Sequence, residues 1–466
     1  MTGSKAIQKI FRIPDGAMNR ELFRRTLSIA WPATLEGALL SIISSVDTMM
    51  VQQVDPYAIA AVSLTAQPRM ILLIIAQALC VGTTAMIARR KGENDRKAAN
   101  AVLSQSMTMI TVIGLVISLL GFFLAGPIMD IAGADEDTRA LSIDYFRIIS
   151  SGLMFNCWSL CLCAAMRAIG NTRITMVTNI TANLVNVFLN WCLIGGNLGF
   201  PALGVKGAAI ATVTGTAVSC LIAFRFVRKP DSYLFFRFRL PKFDRRTMSG
   251  LLRVGTSSVA ESVALRLGFL INTRMIADIG ADALTAYTIV QQVTSLSFTL
   301  GDGIATAGAT LVGQYLGAGD KENARNTVTV SRMISIVASV MLMVLIFFLR
   351  NVLAGLFTTD ERIIAGASLA FIVVIVGIIP QNGRVVYSGC LRGAGDVKFV
   401  AICCLISVTL IRPVLTWLCC YPLNAALPTW QFAYTGTWIA FVIDAFIRNV
   451  LLANRIHKGK YLEIRL

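Results

Sequence analysis

Asp47 stands in "SSVDTMMV" (44–51), inside an apolar run over 27–52. It lies five residues from the end of that run, which for a membrane-crossing helix is about 7 Å deep at about 1.5 Å per residue. A carboxylate costs up to about 2.5–3.5 kcal/mol at mid-membrane, and this side chain is too short to snorkel far, so it must face protein or water. Glu36 precedes it by eleven residues, and eleven steps of about 100° close three turns plus about 20°. One stripe of the helix thus presents two acids to an interior. In "TNITANLVNVFLNW" (178–191), Asn183, Asn186 and Asn190 recur at three and four residues and share a helical face. Their amide carbonyls with Asp47 form an oxygen set suited to a hard cation such as Na⁺. Structural acids satisfied by neighbouring donors, and amides that hold helices together by hydrogen bonds, are the competing readings.

Further polar residues fall in later runs: Glu261 and Arg266, Asp302, Gln381 and Arg384, and Arg412. Glu261 and Arg266 are read as an internal ion pair, or else Glu261 is part of a second coupling or substrate site with Glu36 and Gln381. Pro32 is a candidate hinge, because a proline inside a span frees a carbonyl that partners in a bundle re-satisfy. Catalysis finds no support: there is no HExxH, no GxxxxGK[ST] and no paired-aspartate motif on a cytoplasmic loop. The single histidine, His457, lies in the basic tail, so no histidine relay crosses the membrane. Eleven cysteines lack zinc-type spacing and read as buried thiols. No enzyme, no cofactor and no metal beyond Na⁺ at Asp47 is expected.

These residues must be positioned by helices in lipid, since 56% of the 466 residues are hydrophobic and only 14% charged. Twelve runs are long enough to cross a core about 30 Å thick: 27–52, 58–88, 103–126, 142–166, 173–195, 205–226, 248–275, 283–313, 328–350, 366–390, 398–421 and 430–453. The net charge of +17 follows alternate loops, as in "RRKGENDRK", whereas "AGADEDTR" and "TTDER" are acidic. It is therefore a topology signal that places both termini and the connector in the cytoplasm of a multi-pass protein, and not a nucleic-acid surface. No cleavable signal peptide is expected, because the first run starts late and is too long. Sliding the chain over itself at one constant offset pairs Glu36 with Glu261, Gly92 with Gly317, Gly152 with Gly377, and "MRAIGNT" with "LRGAGDV"; four added residues near the last outer loop bring Gly207 onto Gly436. Asp47 falls on Asn272, so the acid is not duplicated. The expected architecture is all-α, with two parallel six-helix repeats forming two lobes around a central cavity. A 1–26 tail, an N-lobe over 27–226, a connector over 227–247, a C-lobe over 248–453 and a 454–466 tail follow. The 227–247 segment is read first as a plain connector, with its Arg and Phe lying along anionic headgroups as the further reading.

"WPATLEGALLSIISSVDTMMVQQVDPYAIAAVS" resembles the first helix and loop of the multidrug and toxic compound extrusion (MATE) family, and "MRAIGNT" and "LRGAGD" resemble its paired loops. The resemblance spans about 22–455. It implies an antiporter that exports cationic or amphipathic small molecules in exchange for Na⁺ or H⁺ by alternating access; separately, the short tails and lack of a targeting segment point to a prokaryotic plasma (inner) membrane, with a monomer as the default state. Asp47 matches the family's coupling acid, Pro32 its bending proline, and Thr212 its helix-six threonine. The family's N-x-x-x-D appears here as Asn186 and Asn190, and an acid of one branch as Gln381. The alternative implied is a flippase of the same superfamily for a lipid-linked saccharide, whose cavity is rich in arginine.

Overall fold

A computed structural model describes residues 20–52, 58–229, 232–236, 244–426 and 432–464. Among these, helices dominate and no strand occurs. The twelve long elements are α1 Arg20–Gln52, α2 Ala58–Gly92, α3 Arg96–Phe123, α4 Glu136–Ser151 continuing as Leu153–Ala168, α5 Thr172–Gly195 and α6 Val205–Val227. They continue as α7 Arg245–Ala277, α8 Ala281–Gly317, α9 Lys321–Gly355, α10 Glu361–Ala394, α11 Val397–Ala426 and α12 Phe432–His457. Nine described helices are long and apolar enough to cross a membrane, and the α4 pair makes a tenth; α1 and α8 complete the twelve. Backbone polar groups in lipid must be satisfied within the segment, which is why every run becomes a helix. On α9, Val337, Met341, Val344, Phe348 and Val352 recur at three and four residues and are all exposed. That stripe suits contact with acyl chains, and the chain is a multi-pass membrane protein.

The repeat is visible in the helix starts. Asp95 caps α3 by accepting from Ala98 N at 2.8 Å, and Asp320, its counterpart at the repeat offset, caps α9 by accepting from Asn323 N at 2.9 Å. Asp135 and Asp360 likewise accept from Thr138 N and Arg362 N at the starts of α4 and α10. Each carboxylate satisfies a backbone donor that has no intrahelical partner. The packing repeats too. A Cβ on Gly152, where α4 bends by 47°, would lie 2.6 Å from Val213 of α6. A Cβ on Gly377 of α10 would lie 2.7 Å from Val442 of α12.

The chain forms two compact units, Leu35–Thr256 and Met1–Thr34 with Ser257–Leu466. The division falls inside α1 and α7, not at the ends of the sequence-derived lobes 27–226 and 248–453. Arg25 of α1 donates to Gln314 of α8 at 3.0 Å, whereas Leu251 of α7 is fully buried in a core with α2 and α3 residues. A continuous helix passes from one bundle to another, so nothing in the apolar pattern marks the crossing. Pro32 lies inside α1, two residues before the division.

The described part of the connector packs on protein and not along headgroups. Leu234 and Phe236 are buried in the core of the unit Leu35–Thr256, Arg96 donates to the carbonyls of Ser232 and Tyr233, and Lys91 sits 4.8 Å from the Tyr233 ring centre. Leu234 and Phe236 find a protein groove, which excludes them from lipid. Arg237 and Arg239 lie outside the described residues. All eleven cysteines are free and buried, as small apolar side chains should be.

Candidate functional site

In the unit Leu35–Thr256, a cavity of about 530 Å³ opens among α2 and α4–α6. Asn179, Asn183, Asn186 and Asn190 line it from α5, and Thr212, Thr216 and Ser219 from α6. The spacing that put Asn183, Asn186 and Asn190 on one face is thus realised, and it extends one turn back to Asn179. Asn186 Nδ2 donates to Thr212 Oγ1 at 3.3 Å, and Thr212 donates to Ala208 O at 2.9 Å. α5 and α6 approach closely here because Gly215 leaves room: a Cβ there would stand 2.8 Å from the Ala182 carbonyl. Asn186, Asn190 and Thr212 come together as expected. The backbone of Asp47 belongs to α1, but its side chain lies outside the described residues.

Glu36 connects to the cavity wall through amides and hydroxyls. Its Oε1 accepts from Asn179 Nδ2 at 2.6 Å, Asn179 Oδ1 accepts from Ser219 at 3.3 Å, and Ser219 and Ser159 hydroxyls are 2.6 Å apart. Arg167 approaches the same carboxylate oxygen at 3.9 Å. Asn179 and Arg167 are the functional neighbours that sequence reading missed. The signals were present: one more turn of the asparagine face, and the arginine shared by "MRAIGNT" and "LRGAGDV".

The second unit holds another cavity, of about 510 Å³, lined by Glu261, Asp302, Arg384, Arg392, Arg412 and Arg448 among aromatic rings. Glu261 pairs with Arg392 of α10 at 2.5 Å, not with Arg266. Five residues along a helix is about 500°, which sets Arg266 about 140° around α7 from Glu261. Gln381 Oε1 accepts from Arg384 Nε at 2.7 Å. Of the residues expected at a second site, Glu36 belongs to the first unit, and Glu261 and Gln381 to the second. Asn272, at the repeat position of Asp47, is fully buried and accepts from Thr416 at 3.0 Å. Among the described residues no three acid, histidine or cysteine side chains gather as a metal site.

The MatE family profile matches this chain twice, over residues 32–192 and 258–418, in step with the internal repeat and the paired Gly–Val contacts. The chain belongs to the MatE family. Among its curated relatives is an uncharacterized transporter of Bacillus subtilis, YisQ, 27% identical over 92% of each chain. A probable multidrug resistance protein NorM of Thermotoga maritima is also 27% identical, over 95% of this chain and 93% of its own. Among solved structures, a MOP superfamily transporter from Pyrococcus furiosus superposes with a TM-score of 0.86 at 21% identity, covering 95% of this chain and 97% of its own. An outward-facing multidrug resistance MATE family transporter superposes with a TM-score of 0.85 at 21% identity, covering 94% and 97%. These two share the fold of this MatE chain, a transporter with twelve helices in two lobes.

Proposed function

We propose that this MatE chain exports organic cations or other amphipathic toxic compounds in exchange for inward Na⁺ or H⁺ by alternating access. The observation that carries the reading is the amide- and hydroxyl-lined cavity of the unit Leu35–Thr256, in which Asn186, Asn190 and Thr212 offer neutral oxygens and to whose unit Asp47 belongs. Relatives named as probable multidrug resistance proteins support the cargo class. The protein works as a monomer in a prokaryotic plasma membrane with both termini cytoplasmic.

From outside, Na⁺ or H⁺ neutralises Asp47, and Na⁺ completes its shell with the amide and hydroxyl oxygens of Asn186, Asn190 and Thr212. α1 bends near Pro32, the cavity loses affinity for cargo, and cargo leaves outward. The ion then leaves inward and resets the carrier. Coupling needs only that ion and cargo prefer different states or compete for one acid.

The test is ethidium efflux by wild type and Asp47→Asn with Na⁺ and pH gradients imposed separately. Efflux driven by one gradient and abolished by the substitution is expected, and it names the ion. Wild-type rates from Asp47→Asn sink the reading.

A further inference from the structure

We propose that the cavity of the unit Ser257–Leu466 is a binding site for an organic anion with a flat apolar body, distinct from the cation site read in the other unit. Of its four lining arginines, two are already neutralised: Arg392 by Glu261 at 2.5 Å and Arg448 by Asp444 at 2.5 Å. Arg384 holds only the amide oxygen of Gln381 and lies over the Phe298 ring. Arg412 has neither hydrogen bond nor ion pair among the described residues, although it is only 2% exposed. It is held between the rings of Phe269 and Phe441, at 5.3 and 4.9 Å from their centres. Asp302, on α8, is the remaining lining acid. Asp444 also acts on Arg412 and Arg384, and Asp302 on Arg384, so the four guanidinium groups face three carboxylates, Glu261, Asp302 and Asp444, and one positive charge is left over.

The unmet hydrogen-bonding capacity is mostly that of donors, the Tyr287 hydroxyl being the one group that can also accept. Arg412 Nε, Arg448 Nε and Trp438 Nε1 are buried without an acceptor, and all three are donors lining this cavity. A buried unsatisfied donor is costly, and more so when charged, so a ligand that brings acceptors recovers that cost on binding. Carboxylate, sulfonate and phosphate oxygens are such acceptors. The walls suit a flat ring: Tyr287 and Trp438 lie 5.2 Å apart at 31°, and Trp438 meets Phe441 edge-on at 5.7 Å. A volume of about 510 Å³ admits a two-ring molecule.

The fold does not require this charge. At the offset that pairs Glu36 with Glu261, Arg384 falls on Ser159, and in the register that joins Gly207 to Gly436, Arg448 falls on Ser219. Those serines pair with each other at 2.6 Å and line the first unit's cavity. The same scaffold therefore packs with hydroxyls, and the arginines of the second unit are left for a ligand to use.

The experiment is equilibrium binding of 2-naphthoate to the full chain in phosphatidylcholine nanodiscs, beside 2-naphthylmethylammonium and empty nanodiscs. Saturable naphthoate binding is expected, at least tenfold tighter than the ammonium, weakened at least tenfold by Arg412→Gln and less by Arg412→Lys. Ser159→Ala leaves it unchanged. If Arg412→Gln does not fold, Arg384→Gln carries the same expectation. Binding no stronger than to empty nanodiscs, equal binding of the ammonium, or undiminished binding by the Gln variants overturns the proposal. No ion gradient enters the assay, so its failure leaves the efflux reading standing, and inactivity of Asp47→Asn leaves this one untouched.

Discussion

Arg392 and Glu261 stand 2.5 Å apart on α10 and α7, and their repeat counterparts, Arg167 and Glu36 on α4 and α1, stand 3.9 Å apart. One acid–arginine pair is thus present in both repeats at different closeness. The neighbour explains the difference. Asn179 donates to Glu36 at 2.6 Å in the first unit, whereas its repeat position is Cys404, whose thiol is a weak donor. Arg392 closes directly on the carboxylate where no amide competes.

A double-mutant cycle on the purified protein should give a coupling of about 1–3 kcal/mol for Glu261 and Arg392. For Glu36 and Arg167 it should stay below about 1 kcal/mol. Asn179→Cys should raise the second coupling towards the first. Equal couplings in the two wild-type pairs would falsify the account of Asn179 as the competitor.

Gly152→Ala and Gly377→Ala each drive a methyl into a valine and should lower stability by about 1–3 kcal/mol, read as thermal melting in detergent. Val442→Ala should restore Gly377→Ala almost fully, because the nearest remaining contact would be 3.5 Å. Val213→Ala should restore Gly152→Ala only in part, because the Val213 Cβ itself stands 3.1 Å away. Identical rescue at both sites would show that the two crossings relax alike.

Gln381→Glu sets a carboxylate beside Arg384 and removes a buried amide nitrogen, Nε2, that has no acceptor. The melting temperature should rise, by an amount equivalent to about 1–2 kcal/mol, since an ion pair replaces a bond from the guanidinium to a neutral amide. Naphthoate binding should fall in the same variant, because Arg384 is then neutralised. A lowered melting temperature would mean that desolvation of the new carboxylate outweighs its pairing.

Thr212→Val removes the oxygen that accepts from Asn186 at 3.3 Å while keeping the side-chain shape. Efflux measured against the driving ion should need about tenfold more of it, corresponding to about 1.4 kcal/mol. An unchanged ion dependence with normal rates would remove Thr212 from the coupling set.

Much was written in the sequence itself. The twelve helices were legible because lipid demands about 20 apolar residues for each crossing and forces each backbone to satisfy itself. The repeat was legible because its pairs of Glu, Gly and Asp keep a constant offset, and the asparagine face of α5 because helical period alone aligns it. Tertiary structure decided what those faces meet. Glu261 found Arg392, 131 residues away, and not Arg266 five residues along, because partners across helices are chosen by packing and not by nearness in the chain. It also decided that α1 and α7 each serve two units, and that Leu234 and Phe236 leave lipid for a protein core. Helical periodicity fixes which residues share a face, but it carries no information about which other face will cover them.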